Sequence, residues 1–386
     1  MVSFAEGKLQ QRYTLNAVNE FAKKHKLKWG IDKCKVMVIG RNAYQQEKWD
    51  LGESQIDSCE EYRYLGDVIT RNNSNQRNIE ERKNRVKVIT RKIISMCNNE
   101  VINKIEMWAR MKLHETTTIS SLLTNAEAWV LTKTQRESMD RIELWALKKL
   151  YNVPPTTPTL AVMIVSGTLF ASQRIDQRQM IYLKSILNRP DDNWLKLTLQ
   201  NQKEQNCYWA KQMSDLLSEY GIEMTWDDIK QAPFALWKRT VKNAIEKKHK
   251  TRLMDLLDCS KKAAFAKNFL ESESYERKPL SHVLSRNKMG ARALIMGMAG
   301  MLDCANNFHS KYKTKECKEC HKIDDESHRI NDCIIYERVN LYHSRLKIDF
   351  DCIYSNKSTT LDRMETVIRA IWALDNGKNY TRIDVE

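Results

Sequence analysis

A mainly α-helical chain, with a small β element near its N-terminus, is what three features of the sequence predict. Glycine (11) and proline (6) are scarce in 386 residues, which leaves little of the turn punctuation that a many-stranded sheet needs. Apolar residues recur at helical spacing through most of the chain from residue 76 to 255. Strand formers concentrate in only two short stretches, near residues 33–39 and 61–70. With 42% apolar residues, the chain can bury a sizeable core spread over two or three domains.

Residues 9–26 (LQQRYTLNAVNEFAKKHK) place Leu15, Val18 and Phe21 at near-helical spacing, with Lys and His at the end. In KLKWGIDKCKVMVIG, the apolar run Val36–Ile39 predicts a strand that stops at Gly40. EYRYLGDVIT predicts a second strand-turn element, broken by Gly66. From residue 76 the pattern is helical, and Ile79, Val86, Ile89, Ile93 and Met96 share a face. Beside that face Lys83, Lys87 and Arg91 form an i, i+4, i+8 stripe, readable as a solvated face or as a phosphate-contacting rail. Two further helices are predicted over 101–130 and 135–151, with Trp108, Trp129 and Trp145 as core. VPPTTPTL ends that block. A helix over 166–188, a boundary at NRPDDNW and Trp-containing helices over 195–255 follow, the last carrying the basic run 247–252.

A net charge of +15 exceeds what solubility needs and points to a polyanion, most simply nucleic acid. No apolar run approaches the length of a membrane span, and MVSFAEGKLQQRY carries no signal-peptide core. No membrane partner and no small-molecule substrate is expected. Ten cysteines in such a chain indicate free thiols or metal binding in a reducing compartment, nucleus or cytoplasm.

The most specific chemistry lies in CKECHKIDDESHRINDC. Cys317, Cys320, His328 and Cys333 follow a C-x2-C-x7-H-x4-C spacing, in which a tight turn supplies two ligands and a later His and Cys close a tetrahedron. Thiolates with imidazole suit zinc, and four protein ligands leave no open position, so the expected cofactor is a structural zinc ion. His321, adjacent to Cys320, is a poorly placed rival that can face nucleic acid instead. Lys311, Lys313, Lys315, Lys318 and Lys322 crowd the same segment, and lysine-rich zinc loops bind nucleic acid. Serine-hydrolase, Walker-type and H-E-x-x-H motifs are absent. The acidic pairs Asp191-Asp192 and Asp227-Asp228 sit at helix starts, where capping explains them, and Asp324-Asp325 falls inside the zinc loop.

Taken in order, these segments resemble the C-terminal portion of a LINE-type (non-LTR) retrotransposon reverse transcriptase. Residues 1–6 (MVSFAE) resemble the segment directly after the family's catalytic Ala-Asp-Asp, so the chain is expected to start just past those aspartates and to be inactive as a polymerase alone. The resemblance implies four regions. Residues 1–72 would be a partial palm, 73–190 a helical thumb, 191–300 a helical connector, and 301–386 a C-terminal region with a zinc knuckle. Lys33 matches the lysine of a late-palm Lys-Thr pair, with Cys34 where threonine is usual. Tyr64, Leu65 and Gly66 match a Y-L-G segment that grips the primer end. NIEERKNR, TNAEAW and RIELWALKKL resemble the thumb helices, which gives the Lys83–Lys87–Arg91 stripe a template–primer duplex to follow. RNA and DNA are the implied partners, and Mg2+ is implied only for the intact parent polymerase. A host-retained, non-enzymatic RNA-binding protein with a zinc knuckle is the alternative built from the same parts.

Overall fold

The structure is a computed structural model that describes residues 2–39, 47–97, 106–259, 266–271, 275–286, 288–301, 304, 314–325 and 328–333. It is mostly helical with a small sheet near the N-terminus, and it divides into residues 1–81 and residues 82–386.

In the first unit, α1 (Lys8–Lys24) ends on Lys23 and Lys24, whose charges complement the negative end of the helix. Leu15 and Ala22 are its buried side chains. Phe21, which the periodicity groups with Leu15 and Val18, is 57% exposed; the inner face runs through Ala22 instead. Strands β1 (Lys35–Val36), β2 (Lys48–Leu51) and β3 (Ser54–Ser58) form a sheet in the order β1-β3-β2. β1 is parallel to β3, and β2 is antiparallel to it. The strand expected over Val36–Ile39 stops at Val36, because β3 ends at Ser58 and offers no partner beyond. β2 and β3 join through Gly52-Glu53, where only Gly52 has a positive φ (66°), as a type II′ turn requires. Leu15, Val36, Trp49, Leu51 and Ile56 make the core. β4 (Glu61–Tyr64) and β5 (Asp67–Thr70) form the predicted hairpin. Asn78 holds β5 by donating to the Val68 carbonyl and accepting from its N–H, at 2.9 and 2.6 Å.

Asn78 lies on α2 (Gln76–Cys97). Ile79, Val86, Ile93 and Cys97 are buried along this helix, interleaved with Arg82 and Thr90. Met96, expected on the same face, is 60% exposed, since the seam runs through Cys97. The helix expected over 101–130 is broken into α3 (Met107–Leu113), a π-helical turn (His114–Ile119) and α4 (Ser120–Leu122). α3 buries Met107, Arg110 and Met111, which turns Trp108 outward; the expectation that Trp108 is core is wrong, whereas Trp129 is buried and Trp145 half-buried.

α5 (Lys133–Leu150) starts at a capping box of Thr132 and Gln135. The apolar α6 (Thr159–Ser166) ends at Gly167, and α7 (Ala171–Leu187) follows. Gly167 has φ +57°, and a Cβ there would sit 2.2 Å from the Pro279 nitrogen, so only glycine fits. Next come α8 (Trp194–Glu204), α9 (Tyr208–Glu219), α10 (Trp226–Gln231) and α11 (Phe234–Asp258). Lys184 is buried and donates to the carbonyls of Ile229, Lys230 and Ala232, so its ammonium satisfies the last turn of α10 and meets the negative end of that helix. α12 (Ala266–Glu271), α13 (Ser281–Leu284) and α14 (Lys288–Met298) complete the described helices.

Two apolar clusters organise this second unit. One joins the end of α2 with α3, α5, α6 and α12–α14. The other joins α7–α10. α11 serves both, with Trp237, Val241 and Ile245 in the second and Leu253 and Leu257 in the first. Most of the basic run 247–252 is absorbed here. His249 is buried against Gln173, Lys248 pairs with Glu219, Lys250 lies over the Tyr275 ring, and Arg252 pairs with Asp140.

Candidate metal centre and charged surfaces

The Cys/His segment folds as a tight hairpin closed by the Glu316–Ile323 bridge. The Cys317 N–H donates to the Lys322 carbonyl at 2.8 Å and the His321 N–H to the Cys317 carbonyl at 2.9 Å, which brings Cys317 and Cys320 to one side. His328 and Cys333 come from a π-helical turn, His328–Asp332, and the residue after it. Asp325 starts that turn by accepting from the His328 N–H at 2.8 Å. Asp324 makes a buried two-bond pair with Arg329, at 2.7 and 2.9 Å. Both acidic residues of this pair are therefore occupied in shaping the loop.

The four predicted donors converge. Their ligand atoms all lie within 4.8 Å of one another. Cys333 Sγ is 3.8 Å from Cys317 Sγ and 3.9 Å from Cys320 Sγ. A tetrahedron with metal–sulfur bonds of about 2.3 Å has edges of about 3.8 Å, so the thiols already stand at the spacing a tetrahedral metal requires. They are free thiols, well outside disulfide contact. His328 is 5% exposed, yet neither ring nitrogen has a hydrogen-bond partner. An unmet buried polar group costs about 1–3 kcal/mol, and a metal ion is the partner this geometry suits. Burial opposes ionisation of Cys317, but the Cys320 and Glu319 N–H groups, with the His328 and Cys333 side chains, outweigh it and bring the thiol down to about 7. Four protein donors fill a tetrahedron, so a metal held here has a structural role; the set is compatible with zinc. Cys317 and Cys333 belong to the larger apolar cluster, which anchors the loop to the helices.

His321 lies outside the donor set, exposed and with a left-handed φ of 56°. Lys315, Lys318 and Lys322 face solvent around the hairpin, while Lys311 and Lys313 fall outside the described residues.

The other predicted residues occupy two different elements. Tyr64 is 37% exposed at the end of β4, and Leu65-Gly66 form the two-residue loop of the hairpin with φ of 47° and 90°. Positive φ at both positions defines a type I′ turn, in which asparagine-glycine is preferred and leucine is strained. Leu65 is nonetheless 79% exposed. Lys33 is exposed, and its carbonyl accepts from the Tyr62 hydroxyl at 2.8 Å, which ties its segment to the same hairpin. On α2, Lys83 and Lys87 are half-buried and Arg91 is exposed; none of the three has an ion-pair partner among the described residues.

The remaining polar clusters have structural roles. Asp228 completes a capping box with Thr225. Asp191 pairs with Lys196 at 2.5 Å, and Asn193, not the Asp191-Asp192 pair, caps α8. Asp140 accepts from the Ser172 N–H and hydroxyl and from Arg252, so it caps α7 from a distance; His249 bonds Gln173 and completes no Ser-His-Asp relay. Among the described residues, no helix is long and apolar enough to cross a membrane.

Comparison with known proteins returns no match: no family model, curated protein or solved structure aligns significantly with the chain.

Proposed function

We propose that this chain is the nucleic-acid-holding part of a LINE-type reverse transcriptase, which grips RNA and DNA while the metal-binding carboxylates of polymerisation lie outside it. The observation that carries the reading is the Cys/His hairpin, whose donors turn inward while Lys315, Lys318 and Lys322 turn outward. The metal is zinc, because three thiolates and an imidazole form a soft, closed set with no room for water. It holds a short loop that has too little apolar surface to order itself, and thereby fixes the lysines as phosphate contacts. Lys83, Lys87 and Arg91, without ion-pair partners among the described residues, add a second run of cations, and the exposed Tyr64-Leu65-Gly66 tip is the point at which backbone can approach a sugar-phosphate chain. The motif order from MVSFAE through YLG and TNAEAW to the Cys/His loop supports the family assignment. In this reading Mg2+ acts only in the intact parent polymerase, and the chain alone extends no primer.

The test separates metal from charge. Cys317→Ser should abolish stoichiometric zinc, read by metal analysis, and weaken RNA binding. Lys318→Ala with Lys322→Ala should keep the zinc and reduce the salt slope of single-stranded RNA affinity by about 1.4, at roughly 0.7 per lost phosphate contact. Affinity indifferent to salt in the parent chain, or zinc retained in Cys317→Ser, overturns the reading.

A further inference from the structure

In the helical unit, α3, the corner between α6 and α7, and the segment before α13 enclose an open cleft of about 500 Å3. That volume lies in the range of pockets that take an organic ligand. Among apolar side chains and the Glu115 carboxylate, its lining sets a flat aromatic, Trp108, beside the cations Lys112, Arg174 and Arg277. Trp108 is 55% exposed, and its indole N–H is held by the Glu106 carboxylate, so the ring is fixed in place with much of its surface uncovered. Lys112 follows at i+4 on the same helix, exposed and with no ion-pair partner among the described residues.

The two arginines of the wall are matched within the chain. Arg174 is matched by Glu115 through bonds of 2.6 and 3.0 Å, and Arg277 by Glu246 through bonds of 2.6–3.1 Å. Glu143 lies 3.6 Å from Arg174, but burial drives its carboxyl up to about 8, so it stays largely protonated at neutral pH. The Lys112 ammonium has no ion-pair partner among the described residues, and the Glu106 carboxylate is held by the Trp108 indole N–H. Arg277 also donates to the Gly167 carbonyl at 2.6 Å, and the bare Gly167 lets the chain at Lys278–Pro279 pass against the corner, so the wall is rigid.

We infer that this cleft receives one nucleotide of a single strand, its base stacked on Trp108 and its phosphate at Lys112. The inference rests on the proposed nucleic-acid function and names a specific seat for it. Base-on-aromatic stacking is tolerant of sequence, which suits a protein that holds a strand without reading it. The four carbons of the Lys112 stem and the exposure of Trp108 mean that alanine can replace either without opening the core.

The full-length chain labelled with 5-fluorotryptophan gives one fluorine line for each of its ten tryptophans, and Trp108→Phe identifies the relevant one. Adenosine monophosphate and a ten-residue oligoadenylate are the probes. The Trp108 line is expected to shift with the oligonucleotide, and Trp108→Ala to weaken its binding about tenfold with an unchanged thermal midpoint. Lys112→Ala should weaken it less and flatten the salt dependence. A shift with the monophosphate alone keeps the nucleotide seat and assigns it to a free nucleotide, against the strand reading. Tight oligonucleotide binding with an unmoved Trp108 line removes the cleft inference and leaves the proposed function standing. No movement with either probe and no binding removes both.

Discussion

Residues 1–81 and the helical unit after them meet the burial problem in different ways. The first gathers Leu15, Val36, Trp49, Leu51 and Ile56 under one helix and leaves Phe4, Leu9, Tyr13 and Phe21 exposed. Among its described residues, the second gathers its buried apolar side chains chiefly in two clusters that share α11, and accepts many buried polar groups on the way, Arg110, Lys184 and His249 among them. A small core makes each member indispensable, whereas a large one makes the chain crossings indispensable. Two of the departures from local backbone preference, Leu65 and His321, sit on exposed turns that carry candidate binding groups, whereas Lys26 and Tyr208 depart at the end of α1 and the start of α9.

The sharpest way to break this contrast is Gly167→Ala. The new Cβ meets the backbone at Lys278 and Pro279 in a left-handed conformation, so the helical unit should lose at least about 3 kcal/mol, read as the urea midpoint. Gly66→Ala, where nothing lies within 4 Å, should cost only the backbone strain of about 1 kcal/mol. If the two substitutions cost the same, the crossing is not the constraint. Trp49→Ala tests the other side. It removes the largest side chain of the N-terminal core and its 3.0 Å bond to Ser58, at a cost of about 3–5 kcal/mol. Hydrogen exchange should show lost protection in β2 and β3, with α5 and α7 unchanged; an equal loss in α7 would contradict the distinction.

A smaller effect concerns the buried acid of the helical unit. Because Glu143 is raised from 4.5 to about 8 in the folded chain, the folded state keeps a proton that the unfolded state has released across that window. Its contribution to stability is whole below the lower value and is lost as pH rises toward the upper one. Glu143→Gln, always neutral, should therefore unfold at nearly the parent temperature at about pH 5 and a few degrees higher above about pH 8. A gain that does not grow with pH rules out this cause. His114 and His249 act on the acid side: burial holds His114 down to about 4 against the pull of Glu115, and burial with the neighbouring Arg277, Arg252 and Arg174 holds His249 down to about 3. Smallest is His321→Gly, which relieves left-handed strain and should raise the stability of the metal hairpin by about 1 kcal/mol, measured by resistance of bound metal to a chelator.

The legible parts of the molecule were those whose logic is local. All four candidate metal donors were readable because their spacing is a statement about one short loop, and the β4–β5 hairpin because Gly66 splits a run of strand formers. The β2–β3 hairpin was missed. Its strands, KWDL and SQIDS, mix in polar residues, and Gly52-Glu53 lacks the asparagine-glycine signal. Trp108 was misplaced because an aromatic at helical spacing is usually core, and nothing nearby in sequence reveals that Met107 and Met111 take the inner face. The polar interior was beyond reach for a related reason. Asp140 finds Arg252 across 112 positions, and Lys184 finds the end of α10 across more than forty.

The sulfur spacing at the Cys/His loop has a chemical consequence for whatever ion it holds. Thiols kept 3.8 and 3.9 Å apart need to approach by less than about 2 Å to bond to each other. A bound cation occupies their lone pairs and stands between them. Once it is stripped away in air, oxidation competes with reloading, and a crosslinked loop no longer offers four donors. An ion held here would thus guard against oxidative closure as well as brace the loop, and chelation under a reductant is the condition in which its removal can be undone.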